Sequence, residues 1–184
     1  MKTSIKKLNF ALIVIICGVL ALSGPSMLFA ADFKTVGHSV TVSVLDTLTF
    51  TADTTDITLS FPTYVAGTES STKTVIYTAE SNNMRQADGQ PAINVNLDAL
   101  YTGLDLKAQV GTYTKTSGNA SLIASSAGYV TIGTTNTGVA KKTASTGDGK
   151  QLKGTIPITY KAVATADLST ANQTHLLFVT LTTV

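Results

Sequence analysis

The side chains best suited to proton transfer or metal binding in this 184-residue sequence are two histidines, His38 and His175, and eleven scattered carboxylates. Both histidines stand where alternating apolar runs begin. They could meet across paired strands, but two ligands without a third make a poor metal site, and solvent-facing strand ends are the expected placement. Asp53 with Asp56, and Asp148 between two glycines, sit in turn-like surroundings that lack the repeated oxygen-ligand spacing of a calcium loop. Asp98 and Asp105 flank Tyr101, and a carboxylate pair is the equipment of glycoside hydrolysis, yet nothing in their spacing along the chain sets a catalytic separation. No His-Glu-x-x-His, Gly-x-Ser-x-Gly, phosphate-cradling glycine loop or cysteine cluster occurs. The expectation is of a protein that is not an enzyme and that holds neither cofactor nor metal.

Six tyrosines, Tyr64, Tyr77, Tyr101, Tyr113, Tyr129 and Tyr160, form the other chemically expressive group. A tyrosine ring stacks on the apolar face of a sugar while its hydroxyl stays wet. Tyr64 and Tyr101 lie close to evident loops and make the candidate ligand platform. The other four fall in strand patterns, where core packing or a cross-strand pair accounts for them. Aromatics gathered on one open face would favour glycan binding, whereas an unpaired sheet edge or apolar groove would favour association of subunits.

The elements that must position these residues begin with Lys2, Lys6 and Lys7, an apolar run from Leu8 to Leu22, then Ser23, Gly24 and Pro25 ahead of Ala30 and Ala31. A basic start, a short apolar stretch and small residues predict a secretory signal peptide over 1–30, cleaved after Ala30 or Ala31. One domain over 31–184 is expected, with no stable membrane span left after cleavage. The single cysteine, Cys17, belongs to the apolar leader, so the exported part must rely on its core and sheet pairing rather than on disulfides. That part carries ten basic against eleven acidic residues, which gives no support for nucleic-acid or anionic-membrane partners. Thirty-one of its residues are threonine, a β-branched type that suits a pleated surface and keeps the outer face hydrated.

Alternation at period two predicts the strands. Val40 to Phe50 reads as a strand with a bend at Leu45 and Asp46, and Ile57, Leu59 and Phe61 as a second that Pro62 closes. Further runs are Val75 to Ala79, Ile93 to Leu97, Leu104 to Val110, Tyr129 to Ile132, Ile156 to Ala162, and Leu177 to Leu181. Pro157 marks its run as an edge or a bulge. Lys115 to Ala127 and Gly133 to Gly154 read as long loops with a turn at Thr146 to Gly149, some of whose residues could be further edge strands. The last two runs suggest a hairpin, and Val40 to Phe50 is the other expected neighbour of the final strand. The class is all-β: an antiparallel immunoglobulin-like β-sandwich of roughly seven to nine strands. An eight-stranded outer-membrane barrel shares the alternation, but the runs are short, tryptophan is absent and aromatics for interfacial girdles are few.

The leader, the Val40-Thr41-Val42-Ser43-Val44 run and the closing Ile158-Thr159-Tyr160 and Val179-Thr180-Leu181-Thr182 runs resemble secreted β-sandwich subunits of bacterial surfaces. Spore-coat-protein-U-like and chaperone–usher pilin-like domains are the families meant. The sequence departs from the pilins in having no cysteine pair and no tyrosine near the C-terminus. The resemblance implies a non-catalytic structural or adhesive protein, secreted or in the cell envelope, that associates with its own copies or with other surface proteins. It further implies that residues 31–39, with Phe33 and Val36 as the apolar contacts, add a strand to a neighbour's sheet. The alternative is a secreted carbohydrate- or ligand-binding module. Asn119-Ala120-Ser121 and Asn172-Gln173-Thr174 are formal glycosylation sequons.

Overall fold

A computed structural model describes residues 39, 41–42, 46–144, 147–168 and 172–184 of the chain. Among these residues there are ten strands and no helix. In chain order they are β1 (Leu48–Ala52), β2 (Lys73–Ser81), β3 (Pro91–Leu97), β4 (Leu104–Val110), β5 (Thr114–Gly118), β6 (Ala120–Ala124), β7 (Val130–Thr131), β8 (Thr137–Ala144), β9 (Leu152–Ala164) and β10 (Leu177–Leu181). Every ladder is antiparallel. One sheet runs β1-β2-β9-β4-β7, with β5 also on β9; the other runs β10-β3-β8-β6. The strands all belong to one compact unit, residues 43–184.

Strand β9 is the spine of the larger sheet. Its thirteen residues alternate buried and half-buried almost throughout, so that Leu152, Ile156, Ile158, Tyr160 and Ala162 point one way and Lys153, Thr155, Thr159 and Lys161, with Pro157 and Val163, the other. One side pairs with β2, from Lys73↔Tyr160 to Ser81↔Leu152. The other side pairs first with β5, over residues 152–155, and then with β4, over residues 158–164. Pro157 sits inside this central strand, opposite the gap between β4 and β5. There its carbonyl accepts the Gly111 N–H at 2.9 Å, and the ladder breaks where proline has no N–H to return. Gly111 permits the approach, since a Cβ there would lie 2.9 Å from Pro157 Cγ. Pro157 thus lies neither at a sheet edge nor at a bulge, the two placements expected of it: its register with β2 is unbroken and it sits between the β4 and β5 ladders.

Alternate residues of both sheets meet in one hydrophobic cluster that includes Ile93, Val95 and Leu97 of β3, Leu122 of β6, Val139 of β8 and the inward residues of β9. Each such aliphatic side chain contributes on the order of 1.5–3 kcal/mol when fully removed from water. The arrangement is sandwich-like, with ten strands in place of the expected seven to nine.

Four expectations about the strands change. β10 pairs with β3, not with β9 or the early run, so the last two strands lie in different sheets and form no hairpin. The segments read as loops contain β5, β6 and β8, and β8 is an interior strand of the smaller sheet. Its pattern is obscured by Lys142, which is buried at the position where an apolar residue would have signalled a strand. The Lys142 ammonium is satisfied by the Gln86 carbonyl at 2.7 Å and the Met84 carbonyl at 3.5 Å, with Asp88 at 3.7 Å. Ile57, Leu59 and Phe61 keep the burial alternation of a strand but join no ladder. Ser60 and Ser71 tie that segment down, through Ser71 N–H to the Ser60 carbonyl at 2.7 Å and Ser60 N–H to Ser71 Oγ at 3.0 Å, while Ile57 and Leu59 pack against the core. Of the run from Val40 to Phe50, Leu48–Phe50 lies in β1, while residues 40 and 43–45 fall outside the described residues.

Candidate functional site

Two features of the fold can make contacts with something else: a cleft at the C-terminal end of β9 and the outer edge of β10. The cleft holds about 510 Å³, within the range of small-ligand sites. Leu104 and Leu106 of β4 and Ala162 of β9 line it from the larger sheet, and Ile57, Leu59 and Phe61 from the segment without a ladder. Both Tyr64 and Tyr101 border it, as do Asn172, Gln173 and Thr174. The two tyrosines singled out from sequence are thus brought to one cavity.

Each wall is held by specific bonds. The Gln173 side chain clamps Thr102, accepting its N–H at 2.7 Å and donating to its carbonyl at 2.9 Å. Tyr64 is fixed through its backbone carbonyl, which accepts the Leu168 N–H at 2.8 Å, and nearby Asp167 accepts the Ala66 N–H at 3.0 Å. Tyr64 keeps 54% of its surface exposed. Tyr101 is half-buried, packed edge-on against the His175 ring with centroids 4.6 Å apart and planes at 86°. Burial lifts the Tyr101 hydroxyl above its ordinary value, the His175 backbone hydrogen bond opposes the rise, and Asp98 adds to it.

Three of the acidic candidates, Asp53, Asp98 and Asp148, serve the backbone. Asp98 Oδ1 accepts the N–H groups of Ala99 at 2.8 Å and Leu176 at 2.9 Å and lies 3.4 Å from His175 Nδ1. Asp105 alternates along β4 with Leu104 and Leu106 and so faces the opposite side of the sheet from them. Asp53 accepts the Ile76 N–H at 3.0 Å, continuing the β1–β2 ladder with its side chain. Asp148 accepts the Asn119 side-chain amide at 2.9 Å and the Lys150 N–H at 3.3 Å. Among the described residues no group of three or more His, Cys, Asp or Glu could hold a metal ion. His175 is not the solvent-facing strand end expected of it, being half-buried between Tyr101 and Asp98. His38 lies outside the described residues.

The remaining tyrosines are structural. Tyr77 and Tyr160 share a buried hydroxyl–hydroxyl bond of 2.9 Å, and Tyr77 also stacks on Phe50 at 5.3 Å. The Tyr113 hydroxyl lies over Gly154, where a Cβ would meet it at 2.5 Å. Tyr129 lies beneath the Lys161 ammonium, 4.3 Å from the ring centroid, while that ammonium pairs with Glu69 at 2.6 Å.

At the edge of the smaller sheet, the bonds Asp98 N–H to Leu176 carbonyl and Thr182 N–H to Ala92 carbonyl set the phase of the β10–β3 ladder. Phe178 and Thr180 exchange bonds with β3, and Leu177, Val179 and Leu181 turn their N–H and C=O groups outward. Among the described residues nothing pairs with that outer side. The strand carries no charge, no proline and no bulge, and Leu176 and Phe178 are 63% and 47% exposed beside it. The segment carrying Phe33 and Val36, expected to add to a neighbour's sheet, lies outside the described residues. No helix among the described residues is long and apolar enough to cross a membrane. Compared with protein-family models, with curated proteins and with solved structures, the chain finds no match.

Proposed function

We propose that the chain is an exported, non-catalytic, immunoglobulin-like β-sandwich of a bacterial cell surface or extracellular filament, and that it associates with its own copies or other surface proteins through its sheet edges. The observation that supports this reading is the outer edge of β10. An edge strand presents a row of unpaired donors and acceptors to any strand that approaches, and soluble proteins commonly blunt such edges with lysine, proline or a bulge. β10 has none of these devices. A partner strand would bond to Leu177, Val179 and Leu181 while Phe178 offers its ring on the outer face. Asp53, Asp98, Asp148 and Asp167 are engaged with backbone groups, which accords with a role in contact rather than catalysis.

The test is the state of association. Phe178→Lys with Thr180→Lys puts two charges on the outward face of β10 and leaves its buried side chains and its ladder to β3 intact. Light scattering after gel filtration, from micromolar to millimolar protein, should show concentration-dependent assembly for the parent and a monomer for the double variant at unchanged melting temperature. A parent protein that stays monomeric throughout would refute edge association.

A further inference from the structure

We infer that the cleft beside Tyr64 and Tyr101 is a binding site for a neutral oligosaccharide, a role separate from any pairing at the β10 edge. The argument starts from charge. Among the described residues that line the cleft there is no Asp, Glu, Lys, Arg or His, although such residues stand near them in sequence at 98, 105, 161, 167 and 175. Each of those has another engagement or orientation: Asp98 and Asp167 bond backbone N–H groups, Lys161 pairs with Glu69, His175 lies against Asp98, and Asp105 faces across the sheet. An ionic ligand would find no counter-charge on the walls.

The lining that remains is amphipathic in a particular way. Leucine and alanine form the part contributed by the larger sheet, two tyrosines border it, and Thr58, Asn172 and Thr174 contribute side-chain groups with no partner among the described residues. A purely apolar ligand would leave those groups without bonds, an arrangement that binding disfavours. A pyranose presents the complementary pair of surfaces, a C–H face for an aromatic ring and a belt of hydroxyls for amides and alcohols. The cleft is also preformed: Gln173 is fixed to Thr102 by two bonds and Tyr101 by the His175 ring, so binding need not order these walls. Asn172 is then a recognition residue, and of the two formal sequons it is the one whose side chain has no partner among the described residues. Asn119 is held by Asp148 and by the Gln151 N–H at 2.7 Å.

Amide NMR of the purified protein titrated with cellohexaose, chitohexaose, mannohexaose and, as the charged comparator, hexagalacturonate tests the inference. At least one neutral hexasaccharide should shift the Asn172 side-chain amide and the backbone amides of Thr58 and Tyr64 in a saturable way, and hexagalacturonate should not. Tyr64→Ala should weaken that binding roughly fivefold or more, the loss of one stacking partner, and Asn172→Ala should weaken it as well. Both positions are exposed, so the melting temperature should hold. The inference is overturned if no neutral sugar moves those resonances at millimolar concentration, if hexagalacturonate binds equally well, or if Tyr64→Ala binds as the parent does. Because the assay reads the cleft directly, loss of self-association in the β10 variant would not alter its outcome.

Discussion

At the scale of single residues, the buried hydroxyls of Tyr77 and Tyr160 show how little of a polar core pair is net stabilisation. Their mutual bond replaces two bonds to water, so the pair is worth less than the cost of leaving one member alone. Tyr77→Phe or Tyr160→Phe should each cost about 1–3 kcal/mol, and the double Phe variant should cost less than the sum of the two. Urea melts of the four proteins measure this, and strict additivity would contradict it. The same residues set the alkaline limit. Burial raises the hydroxyls of Tyr77 and Tyr160, the latter well above the tyrosine range, and pushes Tyr113 up to about 12. A folded pKa above the unfolded one means that the unfolded chain gives up its proton first. Stability is therefore fully present below pH 10 and falls as pH rises toward the folded values. Absorbance at 295 nm should show Tyr113 and Tyr160 ionising only as the protein unfolds; their ionisation while the fold is intact would refute this. Tyr64 and Tyr101 were legible as a pair because both lie near loops. That they share a cavity depends on the contact between Gln173 and Thr102, which no local pattern announces.

At the scale of elements, β9 depends on a close approach that only glycine allows. A Cβ at Gly154 would overlap the Thr114 carbonyl and come within 2.5 Å of the Tyr113 hydroxyl. Gly154 needs no special backbone angle, so the constraint is space alone. Gly154→Ala should destabilise by about 3 kcal/mol, the upper end for overpacking, because a backbone carbonyl cannot move aside as a side-chain tip can. Thermal melts check it, and a variant as stable as the parent would show that β5 can shift away from β9. The glycine is not conspicuous in the sequence, and the strands around it divide by the same criterion. Runs with clean alternation, such as Val75 to Ala79 and Ile156 to Ala162, became strands β2 and β9. β8 stayed hidden because a register shift opposite Ile93 buries Val139 and Ala140 in succession, which breaks the alternation, and because Lys142 takes a buried position; that ammonium is held by two carbonyls from residues 84 and 86 and by Asp88. Ile57 to Phe61 erred the other way, since alternation reports a buried face but not the presence of a partner strand. The partner of β10 was unreadable for a related reason: pairing between distant segments is decided by the packing of both sheets, and β3 offers apolar alternation no different in kind from β9.

At the scale of the whole molecule, the two ends of β9, about 40 Å apart over its thirteen residues, have opposite characters. At its start the chain passes between the sheets twice. β5 crosses into β6 through Gly118 and Asn119, and β8 returns to β9 through residues 147–151. Gly118 takes a φ of +93° there, and a Cβ would strike the Gln151 carbonyl. Asn119 joins the crossings: its amide nitrogen donates to Asp148, its oxygen accepts the Gln151 N–H, and its own N–H reaches the Gln151 carbonyl at 2.9 Å. The far end opens into the cleft and is held differently, by backbone bonds of Ala164 to Gly67 and Thr68 and of Thr165 to Gly103. The clasp at the start of β9 is an ionised one. Hydrogen bonds from Asn119 and from the Lys150 backbone hold the Asp148 carboxyl below its ordinary 3.8. A depressed folded pKa contributes stability above the unfolded value, and that contribution is lost as pH falls through the folded one. Between neutral pH and pH 3, Asp148→Ala should therefore lose less melting temperature than the parent, having no clasp left to protonate, while starting from a lower value at neutral pH. Parallel melting curves for parent and variant across that range would mean that the two crossings are held by backbone bonds alone, and Asn119→Ala would then be expected to match the parent at every pH.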